Sequence, residues 1–135
     1  MTAMKSLLIL LLLFAFGCVD PLDIEDMDVD LIENTPVMAN TPNAFSYVIR
    51  ADDFSQQINS PLSFDSASFV MSLVIADYAA GSLLLNVYNE DSSQTYRQEV
   101  SSSIVFSDFP AFKPAALELE LDGFSGSVNL AVTND

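Results

Sequence analysis

The chain has no tryptophan and no histidine, one cysteine, four glycines and only four bases, Lys5, Arg50, Arg97 and Lys113, among 135 residues. Without histidine, Ser-His-Asp and Cys-His nucleophiles cannot be built, and the usual general base and commonest metal ligand are missing. A single cysteine excludes an internal disulfide and a cysteine metal cluster. Four scattered bases against 19 acidic residues give a net charge of −15. That balance speaks against nucleic acid as a partner, because phosphate contacts need clustered Lys and Arg. No GxxxxGK phosphate loop occurs. What remains is a chain half of whose residues are hydrophobic, enough for the core of one domain.

The amino terminus carries an address. MKSLLILLLLFAFGC places Lys5 before an apolar run from Leu7 to Phe16, followed by Gly17 and Cys18. This is the layout of a secretory signal, with Met1 or Met4 as initiator. The run is too short for a spanning helix, which needs roughly 20 apolar residues. With the cysteine directly after Gly17, the segment resembles the signal peptide and lipobox of bacterial lipoproteins. The resemblance implies that residues 1–17 are removed and that the Cys18 thiol receives a diacylglyceryl group and anchors the chain to the membrane. It also implies a place in the bacterial cell envelope, at the outer membrane or cell surface. Ala15 and Phe16 depart from the preferred Leu and Ala or Ser of that box. Ala15-Phe16-Gly17 is also an acceptable small-x-small site for ordinary signal peptidase, so a secreted or periplasmic protein is the alternative.

From Val19 to Asn43 the sequence holds seven acids, no base and three prolines. Like charges extend such a segment and proline interrupts helix, so residues 18–43 read as the lipidated cysteine followed by a solvated tether. The acidic run resembles the export signals of some surface lipoproteins of the Bacteroidota. Asp26, Asp28 and Asp30 have the spacing of the first ligands of an EF-hand. That loop is incomplete, with Leu31 at the turn glycine and Val37 at the bidentate glutamate.

Residues 44–135 alternate apolar and polar with the period of strands. Candidate strands are Phe45 to Arg50, Ser68 to Asp77, Ser82 to Tyr88, Thr95 to Val100 and Ile104 to Phe106. Leu117, Leu119 and Leu121 point inward with Glu118 and Glu120 outward, and Val128, Leu130 and Val132 likewise point inward with Asn129 outward. Asp122 to Ser127, with two glycines, reads as the loop of a closing hairpin. Seven or eight short strands suit an all-β, two-sheet antiparallel sandwich, immunoglobulin-like or jelly-roll-like, because a single sheet leaves one apolar face uncovered.

No catalytic arrangement emerges. Asp52, Asp53, Glu90 and Asp91 are of the type a glycosidase pair needs, but adjacent acids at strand ends are ordinarily solvated turn residues, and the chain is short for a cleft. The expectation is no enzyme. The same four acids are candidates for a loop Ca²⁺ site, since carboxylate and carbonyl oxygens suit that ion. Phe106, Phe109 and Phe112, spaced by three, either plug one end of the sandwich or form an apolar patch for a partner. The leading expectation is a non-enzymatic envelope lipoprotein with an interaction or structural role and a protein or glycan partner. A calcium-assisted ligand- or glycan-binding module is the alternative.

Overall fold

The structure is a computed structural model that describes residues 33–135. The signal segment, Cys18 and the acids from Asp20 to Asp30 lie outside the described residues. The described chain is all β, a single antiparallel sheet of six strands. They are β1 (Val37–Thr41), β2 (Ala44–Pro61), β3 (Phe69–Tyr88), β4 (Thr95–Val100), β5 (Ile104–Asp108) and β6 (Ala116–Asn134). The spatial order is β1-β2-β6-β3-β4, with β5 also pairing β3.

Three strands are far longer than the expected segments. Ser68 to Asp77 and Ser82 to Tyr88 are two parts of β3, and the expected closing hairpin does not form. Leu117 to Leu121 and Val128 to Val132 lie along one strand, β6, and both parts pair with β2 and β3 rather than with each other. The inward faces were nevertheless correctly legible: all six of these residues are buried. Alternation reports which face a side chain takes, and a bulge and a reversal disturb it in the same way.

Each long strand bends near its middle. Register shifts interrupt the β2–β6 ladder between Ala51 and Gln56 and the β3–β6 ladder between Ala76 and Ser82. Residues with positive φ gather there: Asp53 on β2, Asp77 and Gly81 on β3, Gly123 and Gly126 on β6. Gly81 is required by space as well as by φ, since a Cβ there would overlap the backbone of Asp122 and Gly123. The bend is sharp. Nine residues of straight strand cover roughly 30 Å, yet the Tyr47 hydroxyl donates to Gln56 Oε1 of the same strand at 3.1 Å.

The bend divides the sheet into two arms. The first holds β1, residues 44–51 of β2, 126–134 of β6, 69–76 of β3, and β5; the second holds residues 56–61, 116–121 and 82–88 of the same long strands, and β4. Inward side chains from both arms, among them Tyr47, Ile49, Leu73, Leu85, Leu119 and Leu130, make one hydrophobic cluster. The uncovered face that argued for a second sheet is thus covered by the other arm of the same sheet.

The sheet also starts earlier than the sequence suggests. Val37–Thr41, read as the end of the tether, pairs with Ala44 to Val48 through a turn at Pro42 and Asn43. All five residues of β1 are exposed, so no buried alternation marks it.

Candidate functional site

Away from the bend, the strand ends of the two arms meet at a mouth. The Leu62 amide donates to the Ala115 carbonyl (2.8 Å), Asn43 to Ser63 (3.0 Å) and Phe69 to Pro110 (3.2 Å). Residues 62–68 and 109–115 therefore lie across this opening. Leu62 and Phe64 are buried in it. Phe112 packs edge-on against Phe69, with ring centroids 5.3 Å apart. The phenylalanine triplet thus divides: Phe106 and Phe112 pack on the core, while Phe109 is 63% exposed.

An open groove of about 810 Å³ runs along the mouth, lined by Asp65, Glu90, Asp91, Gln94 and Lys113 around an apolar floor that includes Leu62 and Pro114. Its loops are braced internally. Asn43 Nδ2 donates to Asp65 Oδ2 at 3.1 Å, and the Asp65 amide returns a bond to Asn43 Oδ1 at 2.8 Å. The Ser93 amide donates to Asp91 Oδ1 at 3.0 Å, and bonds from Ser93 hold the Asp91 carboxyl below its usual range.

The four candidate acids do not converge. Glu90 and Asp91 line the mouth, whereas Asp52 and Asp53 sit at the bend. There the Asp52 amide donates to Asn34 Oδ1 (2.8 Å) and the Asp53 amide to Ser125 Oγ (2.9 Å). Among the described residues no group of three or more His, Cys, Asp or Glu is placed to hold a metal ion. A Ca²⁺ site drawing on both pairs together is not formed.

The most organised polar cluster is on the outer face of the second arm, and sequence reading passed over it. Alternation shows Glu118 only as an outward residue. In the structure its Oε1 accepts from Gln57 Nε2 (2.9 Å), and its Oε2 from the Tyr88 hydroxyl (2.9 Å) and Asn86 Nδ2 (3.3 Å). The bond from Tyr88, then that from Gln57, holds the Glu118 carboxyl below its usual range. The same contact raises the Tyr88 phenol. Register explains the cluster: Asn59, Glu118, Asn86 and Arg97 form one row across four strands, and Pro61, Ala116, Tyr88 and Thr95 form the next. The signal was the polar residue at every second position of four separate strands, which identifies a row only once pairing is known.

The outer face of the first arm is different in kind. Val37, Val48, Asn129, Val74 and Val105 make one row across five strands, and Ala39, Ser46, Ala131, Ser72 and Ser107 the next. A third row holds Thr41, Ala44, Thr133 and Val70. These three rows carry no charge and no side chain larger than valine or asparagine. Val37 and Val105 are 61% and 77% exposed. Among the described residues no helix is long and apolar enough to cross a membrane. In comparisons with known proteins, no family model and no curated protein matches the chain.

Proposed function

We propose that this chain is a non-enzymatic lipoprotein of the bacterial envelope, anchored at the outer membrane or cell surface through a lipid on Cys18. Its β domain works by association. In this reading the two arms of the bent sheet act as the two layers of a sandwich around one core.

The observation that carries the association role is the uncharged outer face of the first arm, 14 residues in three rows on a chain of net charge −15. Like charges directly opposite one another repel, so an acidic protein is approached most cheaply where it is bare. The matching occupant is the same face of a second copy, which brings no charge of its own. Five strands spaced about 4.8 Å and three rows about 6.8 Å apart offer roughly 450 Å² per copy, about 900 Å² in total, the size of a weak, transient contact. Confinement of lipid-anchored copies to one membrane raises their effective concentration.

Two measurements test the proposal. Labelled palmitate should enter the wild-type protein and not Cys18→Ala; no label on the wild type removes the anchor. A photoreactive amino acid at position 105 of the full-length protein, in its own cells, should give an adduct of twice the chain mass, and one at position 120 should not. Equal patterns at both positions would remove the association face.

A second reading, ligand or glycan binding, draws support from the mouth groove, where carboxylates, amides and one lysine surround an apolar floor as a polyhydroxylated ligand requires.

A further inference from the structure

On the outer face of the second arm a smaller hollow of about 240 Å³ opens beside the mouth groove, and Ala115 lines both. We propose that this hollow, between Pro61 and Tyr88, holds one sugar ring; the inference rests on the glycan-binding reading and assigns it a place.

The hollow exists because Ala116, on β6, is small and its cross-strand neighbours are not. Pro61 on β2 and Tyr88 on β3 pair with it from either side. Those two strands stand two strand spacings apart, roughly 9.6 Å. A ring held in van der Waals contact on both faces, at about 3.5–4.0 Å each, needs walls roughly 7–8 Å apart. The volume is below the roughly 300–1,000 Å³ typical of sites for larger ligands. One ring fits.

Its chemistry is two-sided in the way a pyranose is. Pro61, Ala116 and Tyr88 form an apolar row, which suits the C–H faces of the ring. The next row presents Asn59 and Glu118, which also line the hollow. Asn59 makes no side-chain hydrogen bond among the described residues, so its amide can donate to one hydroxyl and accept from another. Glu118 Oε1 accepts one bond and has a lone pair left for a sugar hydroxyl. Its carboxylate is already held by three donors, so it is fixed in place before a ligand arrives. Those donors occupy most of its acceptor positions, and Arg97 lies in the same row, which favours a neutral hydroxylated ring over an ammonium group.

The test is titration calorimetry of the intact purified protein with the methyl glycosides of glucose, galactose, mannose and N-acetylglucosamine, with choline and lysine methyl ester as cationic probes. At least one glycoside should bind with a Kd near 1 mM. Ala116→Leu, which fills the hollow from its floor, should weaken that binding at least tenfold. Asn59→Ala should weaken it severalfold, and Glu120→Gln, outside the hollow, should leave it unchanged. Thermal melts of each variant establish that it is folded. Glycoside binding untouched by Ala116→Leu and Asn59→Ala would overturn this site while leaving a glycan-binding protein. Binding of none of the four glycosides up to about 10 mM would overturn both, and binding of the cationic probes alone would overturn the sugar assignment.

Discussion

Glu118 and Leu119 are neighbours in sequence and opposites in environment. Leu119 is fully buried, so Leu119→Asp places an unpaired charge in the core and should unfold the domain, at a cost of several kcal/mol against a total near 5–15 kcal/mol. Glu120→Lys, on the exposed side, should change stability by no more than about 0.5 kcal/mol. Denaturant melts compare the two. Glu118 is intermediate: Glu118→Lys removes the acceptor of three bonds, and its effect should exceed that of Glu120→Lys. Two glycines give another contrast. Gly81→Ala sets a Cβ against the Gly123 carbonyl and should cost about 3 kcal/mol or more. At Gly123, with φ of 54°, a Cβ meets nothing nearer than Asp53 Oδ1 at 3.7 Å. Gly123→Ala therefore carries only the left-handed backbone term, about 1–2 kcal/mol.

At the level of the strand, the bend governs the fold, and it was the part least legible in the sequence. Period-two patterning correctly assigned Leu117, Leu119, Leu130 and Val132 to the inner face. It could not tell that Asp122 to Ser127 turns a strand through a corner instead of reversing it, because glycines near acids serve both ends. Asp77 shows the physics: its φ of 52° is left-handed in a non-glycine residue. Asp77→Val should lower stability by about 1–2 kcal/mol, since a branched side chain is poorly accommodated there, while Asp77→Gly should be neutral or stabilising. Urea midpoints at constant slope distinguish these outcomes. The polar cluster around Glu118 was hidden for a related reason. Its members come from β2, β3, β4 and β6, up to 61 positions apart, and only the register brings them together.

For the whole molecule, charge and pH set the working range. With a net charge of −15, self-repulsion opposes compactness, so the melting temperature should rise as salt is added up to about 0.15 M, where the Debye length falls to about 8 Å. In alkali, burial pushes Tyr47 up to about 12, and burial with help from Asp108 does the same to Tyr96. A group whose folded value is raised stabilises fully below its unfolded value. Stability should therefore decline from about pH 10 to about 12 as the unfolded phenols ionise first. Glu118 acts at the other end: its depressed carboxyl stabilises at neutral pH, and that contribution is lost as pH falls below the usual carboxylate range. Glu118→Gln should flatten the acid side of the stability profile and, because the same contact raises the Tyr88 phenol, also lessen the decline in alkali.

One property of the topology reaches into how such a chain is born. The strand in the middle of the sheet, β6, follows all the others in chain order, and it alone joins β2 to β3. Ala44 meets its partner Thr133 only when the chain has run on by 89 positions. A polypeptide emerging amino end first can pair β1 with β2 and β3 with β4 and β5, but these two parts of the sheet cannot be joined until β6 arrives. Under the export proposed above, this order would delay closure until the threading is nearly done.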